Sequence, residues 1–405
     1  MKKEVSERFN FPTVWVSEGK VRVLVPRLEA FVEKPSDYAP SRAPVFYNPV
    51  MELNRDVAVL VLQVFQRFSN RGLFVCEPLA GCGVRGIRFA VEVDGVEKVV
   101  VNDINPRAFG LMRFNIEANG VSGRVFAESK DANLLLSEHA APRRRFDYVD
   151  VDPFGSPVPF LDSALRSVKR GGMVALTSTD LAPLCGVHVN ACVRKYGAKP
   201  LRTEYCHELA LRILVGCLMV TAAKYELGVR VVFSYYAEHY ARVYAEIDYG
   251  ARKADENLRG MGYVYHCFGC LHREFSYGIF GAEKRECPRC GREMDFAGPL
   301  WLGELASKEY CEGILSELDV REMKNGKRIG KMVGLILDEI GMAPTFYDVN
   351  KVCERVGCLT VSPRRVVEEL RARGFSASLT HFKSTGVKTN ADISEVMDVV
   401  RSLGE

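Results

Sequence analysis

From residue 73 onward the sequence alternates short β-branched runs with helical ones, and no other feature restricts the fold as much. Leu73-Phe-Val-Cys-Glu77 has the residues of a strand. A loop containing Gly81, Gly83 and Gly86 follows, and a helical pattern begins near Ile87. Further strands are expected at 98–103, 124–128, 146–151 and 172–178, with a helix over 106–119. Strands that alternate with helices imply an α/β, doubly wound parallel sheet. Arg230-Val-Val-Phe-Ser-Tyr and Arg242-Val-Tyr-Ala-Glu-Ile read as an antiparallel pair at its end.

The 146–151 strand stops at Asp152-Pro153-Phe154-Gly155, because proline cannot continue an interior ladder. A carboxylate, a fixed carbonyl and an aromatic ring are thereby gathered at a strand's carboxyl end, where open α/β sheets bind ligands. This set suits a flat, amine-bearing base: Asp152 accepts one N–H, the Pro153 carbonyl accepts the other, and Phe154 stacks on the face. A strand-ending turn whose aspartate merely caps the next segment is the plainer reading of the same residues.

Gly81-x-Gly83-x-x-Gly86, with Asp103 about twenty residues on, also matches a dinucleotide fingerprint. An NAD-dependent dehydrogenase is therefore one alternative. Glu77 favours the other, since a carboxylate beside the loop repels a pyrophosphate but welcomes the sulfonium and ammonium of S-adenosylmethionine. On that reading Arg55 or Arg85 holds the donor carboxylate, Asp103 the ribose and Asp131 the adenine amine.

Residues 13–33 alternate as a hairpin with Glu18-Gly19 at its turn, and 44–51 is too proline-rich for a helix. A helix is expected over 52–68, with Arg55 in its first turns. Composition shifts near residue 260, which suggests a methyltransferase-type domain over 1–260 and a second, α+β domain over 261–405. There Cys267-x-x-Cys270 and Cys287-x-x-Cys290 have the spacing of a four-thiolate, structural zinc site. His266 and His272 flank it as rival ligands. Thirteen cysteines in 405 residues otherwise suit a reducing compartment, and a net charge of +4 permits a nucleic-acid partner. The amino terminus has no apolar signal core, and the longest apolar run, 209–223, is interrupted by Arg212 and falls short of a membrane span. A cytoplasmic, monomeric protein with no membrane association is the expectation. Helices are expected at 305–318, 331–340, 347–356 and 362–373, the last opening on Ser362-Pro363, whereas 377–390 looks polar, basic and non-periodic.

The motifs together resemble one family nearly end to end, the tRNA (guanine-26-N2) dimethyltransferases of the class I S-adenosylmethionine-dependent fold. The matching stretches are Phe46-Tyr-Asn-Pro with Asn54-Arg55-Asp56, Gly83-Val-Arg85-Gly, Asn102-Asp103-Ile104-Asn-Pro106 and Asp131-Ala132-Asn. They continue with Asp150-Val-Asp152-Pro-Phe-Gly-Ser156, Thr179-Asp180-Leu-Ala-Pro-Leu-Cys-Gly186 and Lys388-Thr-Asn-Ala391. The resemblance implies methylation of a guanine N2 amine at the junction of two tRNA stems, twice in succession. It implies Asp152, Pro153, Phe154 and Phe46 at the acceptor, with the two rings on the extruded base. Donor contacts are implied at Arg55, Glu77, Gly81, Gly83, Arg85, Asp103, Ile104, Asp131 and Ala132. Another tRNA guanine, or an N6-adenine target, fits the same acceptor motif. Arg143-Arg144-Arg145 and the group Arg364, Arg365, Arg371, Arg373 and Lys383 are candidate phosphate contacts.

Overall fold

A computed structural model describes residues 9–32, 39–281, 283 and 285–404. The central sheet has seven strands: β3 (Leu73–Glu77), β4 (Val96–Asn102), β5 (Val125–Glu128), β6 (Phe146–Val151), β7 (Val168–Ser178), β8 (Leu227–Ala237) and β9 (Tyr240–Tyr249). Their order is β5-β4-β3-β6-β7-β9-β8. β3 through β7 pair in parallel, and β8 pairs antiparallel with β9. Counted from β3, that is the 3-2-1-4-5-7-6 order of the class I methyltransferase sheet. The strand order reverses beside β3, and the crevice at such a reversal is where ligands enter.

The chain divides into two compact units. The first comprises residues 1–152, 162–176 and 313–330. In it β1 (Thr13–Glu18) and β2 (Val21–Pro26) form the expected hairpin, although its turn is Gly19-Lys20, with Gly19 at φ +55°. β2 does not expose a bare edge. Asn115, on the Pro106–Ala118 helix, accepts from Leu24 N (2.7 Å) and donates to Leu24 O (3.0 Å), and Asn119 does the same at Arg22. Side-chain amides thus replace a missing strand, each bond contributing about 1 kcal/mol.

Close backbone packing shapes the glycine loop. A Cβ on Gly86 would lie 2.2 Å from Val101 of β4, so only glycine lets the Val84–Glu92 helix sit against the sheet. That helix begins directly after Gly83, in the left-handed region at φ +78°, three residues before the position expected from periodicity.

The second unit comprises 153–161, 177–312 and 331–405. The Cys206–Ala223 helix is buried in it. By length and composition alone that helix would cross a membrane, contrary to the expectation that it falls short, yet 72% of its apolar window lies inside the protein. Its charges are matched, Arg212 with Glu208 at 2.8 Å. β10 (Met261–His266), β11 (Arg273–Tyr277), β12 (Arg285–Glu286) and β13 (Glu293–Trp301) make an antiparallel sheet in the order β11-β10-β13-β12.

β14 (Tyr347–Asp348), the Val349–Val356 and Pro363–Ala372 helices, β15 (Ala377–Leu379) and β16 (Gly386–Thr389) follow one another in the manner of a winged helix. Their sheet order, β14-β16-β15, agrees with that arrangement. Ser362 does stand at the N-cap, with Pro363 after it, but its side chain makes no capping bond. The segment 377–390, read from sequence as irregular, supplies two strands, because its charges find partners in space. Lys388 is buried against Glu208 (2.7 Å), and Lys383 pairs with Asp348 (2.6 Å).

Candidate active site

Three loops meet at the carboxyl ends of β3, β4 and β5, and Asn102 ties them together. Its amide donates to Pro78 O (2.9 Å) and Lys130 O (3.0 Å), and its carbonyl oxygen accepts from Lys130 N (2.9 Å). Ala80 N donates to Asn102 O at 2.7 Å. Sequence reasoning gave Asn102 no role, since nothing local distinguishes it from any strand-end asparagine.

Asp103 sits beside this tie. It accepts from Gly81 N and Asn105 N, both at 2.9 Å, and burial raises its pKa from its ordinary value. Gly81 holds φ +55°, and a Cβ there would stand 2.8 Å from the Phe46 carbonyl oxygen. Loop and Phe46 segment therefore touch backbone to backbone. Asp131 caps the Ala132–Glu138 helix by accepting from Leu134 N, while Ala132 is buried and Ile104 is exposed.

Arg85 is the hub of the deeper part. It is buried, and three carboxylates surround it. Nε lies 3.3 Å from Glu77, Nη1 lies 3.4 Å from Asp150, and Nη2 pairs with Asp152. Asn54 Oδ1 accepts from Nη1 at 2.8 Å, and Tyr148 donates its hydroxyl to Asp150 at 2.8 Å. Glu77 also accepts from Gly86 N (2.9 Å). Burial nonetheless pushes the Glu77 carboxyl up to about 8, against the pull of Arg85. One guanidinium faces three acids, so the cluster has room for further positive charge. Asp150, part of this hub, was only a motif letter in the sequence. Its role depends on Arg85, 65 residues away.

Arg55 has a partner that the sequence did not indicate. Its Nε and Nη2 grip Glu18 at 2.6 and 2.7 Å, and Nη2 also meets Asn48 O. Nη1 has no hydrogen-bond partner among the described residues. Glu18 is held in turn by Arg88 at 3.0 Å. Burial opposes its ionisation, but the two arginines prevail and hold its carboxyl at about 2.

In the second unit the chain continues from Asp152 through buried Pro153 to Phe154, which is 68% exposed. Gly155 N donates to Thr179 Oγ1 at 2.8 Å, which fixes the turn just after that ring. The four cysteines of the β10–β13 sheet also come together. Sγ atoms of Cys267 and Cys290 lie 3.4 Å apart, and those of Cys270 and Cys287 3.5 Å. Each Cys-x-x-Cys makes the same knuckle: Leu271 N donates to Cys267 O, and Gly291 N to Cys287 O, both at 2.8 Å. The residues that close them, Leu271 and Gly291, both have positive φ, at +65° and +70°. Neither flanking histidine joins the group. His272 faces Glu274 (3.2 Å), and His266 packs edge-on to Tyr205 and Phe268.

Of the candidate phosphate contacts, Arg143, Arg144, Arg364 and Arg365 are exposed. Arg371 donates to Ala377 O (2.8 Å), Arg373 pairs with Glu369 (2.9 Å), and Arg145 donates to Ala140 O (2.9 Å). Lys383 is committed to Asp348.

Comparison with known proteins gives a consistent result. A family model described as N2,N2-dimethylguanosine tRNA methyltransferase matches residues 19–401. A protein of Methanothermobacter thermautotrophicus, named tRNA (guanine(26)-N(2))-dimethyltransferase, is 43% identical over 391 residues, covering 96% of this chain and 99% of its own. A protein of Pyrococcus abyssi with the same name is 40% identical, at 96% and 99% coverage. The solved structure of Trm1 from Pyrococcus horikoshii with S-adenosyl-L-methionine is similar with a TM-score of 0.84 and 36% identity, over 95% of this chain and 99% of that one.

Proposed function

The chain belongs to the N2,N2-dimethylguanosine tRNA methyltransferase family, and from that premise we propose how its residues carry the reaction. It is a tRNA (guanine-26-N2) dimethyltransferase. It transfers methyl groups from S-adenosylmethionine to the exocyclic N2 amine of guanine 26 of tRNA, giving N2-methyl- and N2,N2-dimethylguanosine. The observation that carries the residue assignment is the Arg85–Asp152 pair at the carboxyl end of β6.

The residues fit a sulfonium donor better than a dinucleotide. Glu77, Asp150 and Asp152 outnumber their arginine, which favours a cation and disfavours a pyrophosphate. Asp103 is set to take the ribose hydroxyls, Asp131 and Ala132 to meet the adenine edge, and Ile104 to cover its face. Gly81 and Gly83 let the backbone come close. Arg55 keeps Nη1 for the donor carboxylate while Glu18 fixes the rest of its guanidinium. When bound, S-adenosylmethionine supplies a methyl group on a sulfonium, whose sulfur leaves as a neutral thioether.

The guanine N2 lone pair is delocalised into the ring, so orientation is the main lever. Asp152 accepts one N–H and the Pro153 carbonyl accepts the other, which turns the lone pair outward. As the nitrogen becomes positive, the Asp152 carboxylate offsets the charge and can receive the proton. Arg85 holds that carboxylate in place. Phe154 offers an exposed ring on which an extruded base stacks, and Phe46 is assigned to the same base. Cys267, Cys270, Cys287 and Cys290 would hold one structural zinc ion, closing its tetrahedron and leaving no catalytic position. Exposed Arg364 and Arg365 are the best placed of the carboxy-terminal cations for tRNA phosphates.

The test is a reconstituted reaction with tRNA, digestion to nucleosides and identification by mass. N2-methyl- followed by N2,N2-dimethylguanosine at position 26 is expected. A methylated adenine, or no product with NAD binding instead, would refute the reading.

A further inference from the structure

Two thiols and an imidazole that the reaction does not use lie together in the second unit. Cys185 closes the short Leu181–Leu184 helix, and Cys206 and His207 open the Cys206–Ala223 helix. The Sγ atoms of both cysteines and a ring nitrogen of His207 all lie within 4.8 Å of one another. Three observations show how the fold brings them there. Gly186 holds φ +87°, and a Cβ on it would stand 2.8 Å from Arg202 N, so its backbone presses on the segment leading to Cys206. Cys185 Sγ points to Cys206 O at 3.7 Å. The His207 ring is stacked on Tyr236 at 3.9 Å and 10°, which fixes its plane.

We propose that Cys185, Cys206 and His207 form a second metal site, taking a zinc-class ion on two sulfurs and one nitrogen with the fourth position open. Thiolate and neutral imidazole are the forms in which these side chains ligate zinc-class ions, and the three ligand atoms lie close enough together to share one ion. A tetrahedral ion at about 2.3 Å from sulfur and 2.0–2.1 Å from nitrogen sets its ligand atoms roughly 3.5–3.8 Å apart. Rotation of the two cysteine side chains would have to close the remaining gap, with the His207 ring held against Tyr236.

The four-cysteine site closes all its positions with protein sulfur, and this one does not. Water or a small thiol would complete it, so its ion exchanges more readily. It also sits where metal can be felt. The Thr179–Gly186 segment begins at Thr179, which accepts from Gly155 N beside Phe154, and ends where Cys185 would be clamped to the long helix. Loading the site would stiffen the segment that supports the acceptor turn. A rival account of the two thiols is a disulfide between them.

Zinc analysis of the full, reduced chain tests the proposal, and about two ions per chain are expected, one for each tetrahedral site. Cys185→Ser and, separately, His207→Gln should each lower the count by about one while leaving the four-cysteine ion in place. Cys287→Ser should remove the other. In cobalt-loaded protein, the difference between parent and Cys185→Ser should contain thiolate-to-metal absorption in the near ultraviolet. The proposal is overturned by a parent count of about one that neither variant changes, or by a difference spectrum lacking that absorption. A Cys185–Cys206 disulfide in a non-reducing peptide map of the native protein would equally overturn it. Should Cys185→Ser fail to fold, the His207→Gln count decides, since it removes a ligand and keeps both thiols. A count that falls only in Cys185→Ser and His207→Gln separates this site from the four-cysteine site, whose own failure would appear as an unchanged count in Cys287→Ser.

Discussion

The carboxylate cluster around Arg85 and the four-thiol cluster of the β10–β13 sheet gather like-charged ligands in opposite ways. At Arg85 the chain supplies its own counter-cation, and the acids come from positions scattered over more than sixty residues. At the cysteines it supplies none. The four sulfurs stand as little as 3.4 Å apart, and two local knuckles do all the positioning. The first arrangement can form from the chain alone and has charge to spare for a cationic ligand. The second is arranged so that the proposed zinc ion would supply the cation that the chain does not.

The largest effect expected from this contrast is on removal of metal. Structural zinc contributes on the order of 10–16 kcal/mol in zinc-finger peptides, more than a four-stranded ribbon can replace by packing. Chelation, or Cys287→Ser, should therefore abolish hydrogen-exchange protection across 261–301 and leave donor affinity intact. Unchanged protection in metal-free protein would break the comparison at once.

Arg85→Met makes the complementary break, since it leaves buried acids without their cation. Chemical denaturation should report a loss of about 3–5 kcal/mol, the usual cost of stranding buried charge. Asp152→Asn is milder, and it separates chemistry from architecture. Methyl transfer in a single turnover should slow at least about a hundredfold, or roughly 3 kcal/mol, while donor affinity hardly moves. A variant that transfers methyl at the parental rate would mean that the acceptor site lies elsewhere.

Phe154→Ala should weaken productive capture of the base by about 1–3 kcal/mol, as expected for a lost stacking surface, with donor affinity unchanged. The smallest effect concerns pH. The Glu77 carboxyl titrates near 8 in the free protein, so below that pH it is mostly neutral. A cationic donor prefers the ionised form, and its affinity should therefore rise with pH and level off above about 8. Between pH 7 and 8 the gain is at most about fivefold, about 1 kcal/mol. Glu77→Gln should flatten that dependence in calorimetry; a slope equal to the parent's would exclude Glu77 as its source. The same shift bears on folding. An acid whose folded pKa is raised binds its proton more tightly when folded, so this stabilisation is full at acidic pH and fades as pH rises toward 8.

What could be read in advance follows a physical division. The strand and helix pattern from Leu73 onward was legible because burial on a sheet selects β-branched runs. The glycine loop was legible because close packing there excludes a Cβ. The cysteine knuckles were legible because a four-residue spacing largely determines their geometry. Even the turn at Asp152-Pro153 needed no tertiary information, since proline ends a strand wherever it stands.

Partnership was not legible. That Nε and Nη2 of Arg55 are taken up by Glu18, 37 residues earlier, could not be read from the local sequence. Lys388 looked like part of a basic, irregular tail, yet Glu208, 180 residues away, draws it into the interior and makes its segment a strand. Asp150 and Asn102 acquired roles only through Arg85 and through the loops that Asn102 joins. Sequence by itself determined which groups each element presents. A charge's partner depends on distances of a few ångströms between residues far apart in the chain, and only the tertiary structure decided those.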